Sequence, residues 1–323
     1  LSGVHPALMH NELTKAWKFG ARKIWLFNIG DIKPLEFELS LAMDLAWDIN
    51  AIPIEEVSAD YTERYFAESL GAEFAPEMTA IRTECSRLAS LRNPEHMGWQ
   101  RIEQGRLPVE AEISWIENQE AETLLRQWTE LMQRSTAIWQ KLPDEPSRDA
   151  YLHLLHYRVA GSALMTRKWL MNSRYVWHQR QGRASAWESY EEAWNAFAEI
   201  WEITDAYMEA DGGKWRKWHG MFAFDTYGEP RYRQPDEEKR WIRPDPFVPL
   251  ETPPQLPDTA EMGVWCQNQD ERLGVGSGRP ELPCLSPHDP TAFLEIYRKG
   301  TRSLDWRISC SDGWLEVSPR EGS

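Results

Sequence analysis

Residues 23–36 read Lys23-Ile24-Trp25-Leu26-Phe27-Asn28-Ile29-Gly30-Asp31-Ile32-Lys33-Pro34-Leu35-Glu36, and this stretch decides the fold. Ile24 to Phe27 is a continuous apolar run bounded by Gly20 and Gly30. That pattern predicts a short strand buried on both faces, as in a parallel sheet. Before it, Pro6 to Phe19 sets Leu8, Leu13, Ala16 and Trp17 at helical spacing, with Gly20 as a stop. After it, a loop over 29–34 leads into an amphipathic run from Glu36 to Trp47, with Leu39, Ala42, Met43 and Ala46 on one face. Helix, strand, helix is one unit of an α/β domain. A lone parallel strand cannot satisfy its own backbone groups. No other stretch before residue 211 reads as a strand, so the expected partner strands precede Leu1.

Working outward, residues 56–211 read as helix throughout. Asp60 and Glu63 form a capping pair opening a helix that runs to Gly71, and Pro76 suits the first turn of a helix reaching about Leu91. Val109–Leu142, Pro146–Gln181 and Ala186–Glu209 follow, with Gly182 between the last two. Short connections favour antiparallel neighbours, hence a helical bundle whose Trp and Met side chains fill a core. His153 and His156 lie three apart without a nearby carboxylate and read as surface or satisfied core rather than ligands. Residues 212–258 change character: Gly212-Gly213-Lys214-Trp215 opens a segment with eight Pro between 230 and 257, an ordered aromatic connector. From 259 the pattern turns to β, at Gly263–Cys266, Ala292–Tyr297, Asp305–Ser309 and Trp314–Ser318.

Composition narrows the function classes. Thirty-six Lys and Arg against 51 Asp and Glu give a net charge of −15, which repels a phosphate backbone and argues against nucleic acid and anionic membrane as partners. No apolar run is long enough to span a bilayer. Four Cys without C-x-x-C spacing suggest no zinc or dithiol site, although Cys266, Cys284 and Cys310 leave room for one disulfide. Leu1 is followed by no basic and apolar leader, so the chain reads as processed, trimmed or a fragment. Eighteen Trp far exceed ordinary usage and favour large cores or flat binding platforms.

Two places can carry chemistry. Residues just past a parallel strand line the active-site mouth of an α/β barrel, and here they are Asn28, Asp31, Lys33 and Glu36. Two carboxylates flanking a sugar linkage are the requirement of glycoside hydrolysis. The plainer reading is helix capping, since Glu36 opens a helix whose dipole favours the anion and opposes general-acid work. The second place is Gly213-Lys214-Trp215 with its following aromatics, where Lys214 can meet an acidic sugar and Trp215 or Tyr227 can stack on it. Its plainer reading is a loop packed by its own rings.

The segment IWLFNIGDIKPLEFELSLAMDLAWD (residues 24–48) resembles the strand, loop and helix of glycoside hydrolase family 115, the xylan α-1,2-glucuronidases. Asn28, Gly30, Asp31, Lys33, Pro34 and Glu36 fit the family's pattern. Gly213-Lys214-Trp215 resembles its G-K-W motif, and FLEIYRKGTRSLDWRISCSDGWLEVS (residues 293–318) is similar to the opening strands of its C-terminal sandwich. Where the family has a Met-Met pair and a further tyrosine stretch, this chain has Met221-Phe222-Ala223 and Thr226-Tyr227-Gly228.

The resemblance implies the last αβα unit of a (β/α)8 barrel over 1–55, a helical bundle over 56–211, the connector 212–258, and the start of a β-sandwich over 259–323. It implies removal of (4-O-methyl-)glucuronic acid from glucuronoxylan with inversion and without metal or cofactor. Glu36 and Asp31 are the expected catalytic residues, and Asn28, Lys33, Lys214 and Trp215 the expected substrate contacts. The element resembling the family's catalytic base, Asp-Asp-Asn-Tyr-Gly, has no counterpart in this sequence, so the chain alone is expected to be inactive. A polymeric substrate implies a secreted or periplasmic setting, and the parent protein can be a homodimer. A rival from another class is a non-catalytic carbohydrate-binding or scaffold module.

Overall fold

The computed structural model describes residues 5–28, 32–93, 97, 113–115, 119–215, 255–267, 282–288 and 290–323. It is mostly helical, with small antiparallel sheets. Helix α1 (Pro6–Lys18) starts where the His5 ring accepts from the Ala7 amide and Pro6 occupies the first turn. It ends before Gly20, whose φ of 99° only glycine adopts without strain. Helix α2 (Glu36–Trp47) carries Glu36 and Glu38 in its first turn, where the dipole favours anions. Its buried face is Phe37, Glu38, Leu41, Ala42 and Leu45, not the expected face of Leu39, Ala42, Met43 and Ala46. Met43 is exposed, and Glu38 is drawn inward by two arginines described below.

Between these helices, residues 24–28 form no strand among the described residues, contrary to expectation. Ile24 and Leu26 stand out in solvent at 87% and 95% exposure. Trp25 leans back on α1, with its ring 6.4 Å from Trp17 and its indole N–H donating to the Ala21 carbonyl. A strand exists only where a second one pairs with it, and no described segment does so here.

The helical region is built from α3 (Asp60–Leu70), α4 (Ala75–Leu91), α5 (Glu120–Lys141), α6 (Glu145–Tyr151), α7 (Tyr157–Arg180) and α8 (Ala186–Glu209). Pro76 lies in the first turn of α4 as the sequence predicts. Asp60 does not cap α3; Ala59 precedes the helix without a side-chain bond, and Asp60 joins the first turn. Helix α5 begins at Glu120, later than the predicted Val109, and Trp115 is buried ahead of it. Helix α7 is the centre. Nearly every residue from Tyr157 to Trp177 is buried, as for a helix covered on all sides. Helices α5 and α8 pack on it, while α3 and α4 extend the core with Phe66, Met78, Ile81 and Leu88 beside Trp128 and Leu131 of α5. A five-residue π-helical turn, Leu152–His156, joins α6 to α7.

Strand β1 (Met262–Cys266) pairs antiparallel with β2 (Leu294–Arg298), placing Gly263 opposite Tyr297. The tyrosine ring lies so close over Gly263 that any side chain there would meet it at 2.1 Å. Trp265 packs edge-on against Trp177 of α7 at 5.6 Å, and Arg183 bonds Glu295 at 2.5 Å, so this sheet shares the helical core. Strand β3 (Trp306–Arg307) pairs with β4 (Glu321–Gly322). Trp314–Ser318, expected as a strand, is not one; the partner of β3 comes from the last residues instead. The four cysteines are free.

Candidate functional site

The site grows from the first turn of α2. Lys33 and Pro34, joined by a cis peptide bond, lead into it, and Lys33 Nζ donates to Glu36 Oε1 at 2.6 Å. The spacing of three puts both groups on one side of the turn. Glu36 Oε2 is buried and has no hydrogen-bond partner among the described residues. Its carboxylate faces two phenols: the Tyr65 and Tyr207 hydroxyls are both pushed up, first by burial and then by the negative charge of Glu36.

The other wall comes from the far end of the chain. Helix α8 ends at Glu209, and the 3-10 turn Asp211–Gly213 follows. Asp211, Gly212 and Gly213 have φ of 56°, 64° and 74°, three consecutive left-handed residues that reverse the chain. Two of them are glycine, which enters this region at no steric cost. The Asp211 amide is pinned by Asp149 Oδ2 at 2.7 Å. The reversal sets the half-buried Trp215 so that Lys33 Nζ stands 4.8 Å from its ring centroid, and Lys214 Nζ also stands 4.8 Å from it. Two ammonium groups on one indole are a cation–π arrangement that also concentrates positive charge at a flat ring.

The structure therefore unites two motifs lying about 180 residues apart in sequence, Lys33–Glu36 and Lys214–Trp215. Asn28 is exposed and is separated from them by residues 29–31. Asp31 lies outside the described residues, as do Met221–Ala223 and Thr226–Gly228. Residue His153 was not anticipated as part of the site. It sits on the π-helical turn, is buried, and places Nδ1 3.4 Å from Lys33 Nζ. Its partner 120 residues earlier could not be seen from local spacing; the only signal was the His153/His156 pair itself. His156 is a satisfied core histidine, bonded to Ser135 at 2.8 Å and stacked on Trp139. Among the described residues, no group of three or more His, Cys, Asp or Glu is placed to hold a metal ion.

Directly behind Glu36 lies a different cluster. Glu38 Oε1 accepts from Arg82 of α4 at 2.5 Å and from Arg158 of α7. All three side chains are buried. Burial pushes the Glu38 carboxyl up, but the two guanidinium groups prevail and hold it down at about 2.

The sequence model described as glycosyl hydrolase family 115 matches residues 1–96. Among curated proteins, none matches the chain. A solved structure titled "A novel family GH115 4-O-Methyl-alpha-glucuronidase, BtGH115A, with specificity for decorated arabinogalactans" is similar, with a TM-score of 0.57 and 27% sequence identity. The likeness covers 72% of this chain and 30% of that one, so the chain spans less than a third of the solved protein. The family match takes in the segment bearing Asn28, Lys33 and Glu36, and the structural likeness reaches well beyond it, so the two together support membership of glycosyl hydrolase family 115.

Proposed function

We propose that this chain contributes part of the active site of a glycoside hydrolase that removes (4-O-methyl-)glucuronic acid side chains from a plant polysaccharide, glucuronoxylan first. The observation that carries the reading is the meeting of Lys33–Glu36 with Lys214–Trp215. A glucuronyl group is a pyranose ring with an apolar C–H face and a carboxylate. An indole face flanked by two ammonium groups suits both features. Glu36, with one oxygen held by Lys33 and the other unpartnered among the described residues, and Asp31 are the catalytic carboxylates of this proposal. Asn28, Lys33, Lys214 and Trp215 are its substrate contacts. An inverting route needs carboxyl groups about 6.5–9.5 Å apart to admit a water. In this reading, residues 1–55 are the last αβα unit of a (β/α)8 barrel, and the exposed Ile24 and Leu26 meet its neighbouring strand. The helices over 56–211 are a bundle, and residues from 259 open a sandwich. A polymeric substrate places the enzyme outside the cytoplasm.

The test is release of glucuronic acid by the protein in its natural length, from glucuronoxylan and, following the similar structure, from decorated arabinogalactan. Glu36→Gln is expected to lower kcat by about 10²–10⁴-fold, the usual contribution of an acid–base group, and residues 1–323 alone are expected to release none. Unchanged turnover in both Asn28→Ala and Glu36→Ala would remove these residues from the site. No release from either polysaccharide would leave the carbohydrate-binding reading in its place.

A further inference from the structure

We propose that His153 is a positioning residue of this site: through its Nδ1 it holds the Lys33 ammonium, and through Lys33 it sets the Glu36 carboxylate. The inference rests on the site reading above. The tautomer follows from the partners. His153 Nε2 lies 3.0 Å from the Tyr207 carbonyl oxygen, which can only accept, so Nε2 carries the proton and donates. In a neutral imidazole the other nitrogen is then a lone pair, and Nδ1 points at Lys33 Nζ, which can only donate. The Lys33 ammonium is thus held from three sides, by Glu36 Oε1 at 2.6 Å, His153 Nδ1 at 3.4 Å and the Trp215 face at 4.8 Å. It has three N–H bonds to give.

The setting of His153 supports a held ring rather than filler. It lies on the π-helical turn Leu152–His156, a departure from α-geometry of the kind that recurs at functional sites. Its ring packs at 4.4 Å from Tyr207, whose carbonyl it bonds. Burial, with Lys33 beside it, holds the imidazole neutral, against the Tyr207 carbonyl and the more distant carboxylates of Asp149 and Asp211. Protonation of Nδ1 would turn the acceptor into a second cation facing Lys33, so the clamp works only with the neutral ring.

Two measurements decide it. In residues 1–323 carrying labelled histidine, assigned with the His153→Asn variant, His153 should show the Nε2–H tautomer, and Lys33→Met should move its titration upward. An Nδ1–H tautomer, or a titration indifferent to Lys33→Met, overturns the proposal. In the natural-length protein, His153→Asn places an amide oxygen where Nδ1 stood and should keep most of kcat. His153→Gln reaches the Tyr207 side instead and should lose about 10²-fold in kcat with little change in KM, the usual cost of a misplacement of about 1 Å. Equal kcat in the two variants also overturns the proposal. If the wild-type protein releases no glucuronic acid, the functional reading falls while the imidazole titration still decides the contact.

Discussion

Two carboxylates stand two residues apart on the first turn of α2 and have opposite surroundings. Glu38 is enclosed by Arg82 and Arg158, with all three buried. Glu36 has a single ammonium partner and is partly accessible, while each of the two carboxylates keeps its Oε2 without a hydrogen-bond partner among the described residues. The difference separates holding from acting. A fully buried carboxylate gripped by two guanidinium groups is committed to the fold, whereas a partly accessible one with a single ammonium partner is left open to chemistry. Glu38 ties α2 to α4 and α7, and α7 continues the helical run that carries His153, so the buried cluster fixes the frame in which Glu36 and His153 face Lys33.

The largest effect should come from breaking the buried member of the pair. Glu38→Gln leaves two buried guanidinium groups facing each other without a counter-charge. Removing one partner of such a cluster costs about 3–5 kcal/mol, read as a lower urea midpoint at neutral pH. A loss below about 1 kcal/mol would mean that water reaches the arginines and that the cluster is not the anchor described.

Acid should sharpen the same contrast in two stages. Burial holds His156 down at about 4, and burial with Arg183 and Arg174 nearby holds His178 at about 3, from an ordinary value of 6.5. A group whose proton affinity is lowered on folding stabilises the fold above its unfolded value and loses that contribution as pH falls through the folded one. Stability should therefore begin to fall below about pH 6.5 as these histidines titrate. Glu38 adds its loss between its ordinary 4.5 and about 2. Urea midpoints across pH 7 to 3 should show the first decline, and His178→Gln should flatten its lower part. A curve that stays level down to pH 4.5 would show that these rings are solvated.

How much of this was legible in the sequence depends on the range of the interaction. Local signals held: Pro6 and Pro76 start helices, and Gly20 and Gly182 end them with φ of 99° and 68°. Features that depend on a distant partner are not readable locally. The run Ile24–Phe27 has the composition of a strand, but pairing comes from another segment and composition alone cannot supply it. The buried face of α2 could not be chosen because apolar residues surround that helix, and Arg158, which draws Glu38 inward, lies 120 residues away. The residues Lys33, Glu36, Lys214 and Trp215 were legible as two motifs; their meeting, and the part of His153 between them, required the fold. Asp60 makes no cap because the helix starts one residue earlier than its capping role requires, with Ala59 at the N-cap position and Asp60 already in the first turn.

The reversal at 211–213 gives a smaller effect. Gly213 has a φ of 74°, and an L-residue there costs roughly 1–2 kcal/mol. The Gly213→Ala variant should relieve that strain by shifting the Trp215 ring from Lys33. The loss in global stability should stay near that figure because the turn is at the surface, while substrate turnover should suffer more. Equal losses in both would assign the two glycines to folding alone.

The smallest expected change in stability is at Glu36. Its pair with Lys33 is a single hydrogen-bonded contact at 2.6 Å, between side chains 11% and 20% exposed. Glu36→Gln preserves the shape and an acceptor toward Lys33, so its urea midpoint should lie close to wild type, in contrast to Glu38→Gln two residues on. A residue needed for the frame shows its loss in stability, and a residue needed for reaction shows it in turnover. If Glu36→Gln unfolds the chain as readily as Glu38→Gln, the two carboxylates share one structural task, and the unpartnered Glu36 oxygen carries no chemistry.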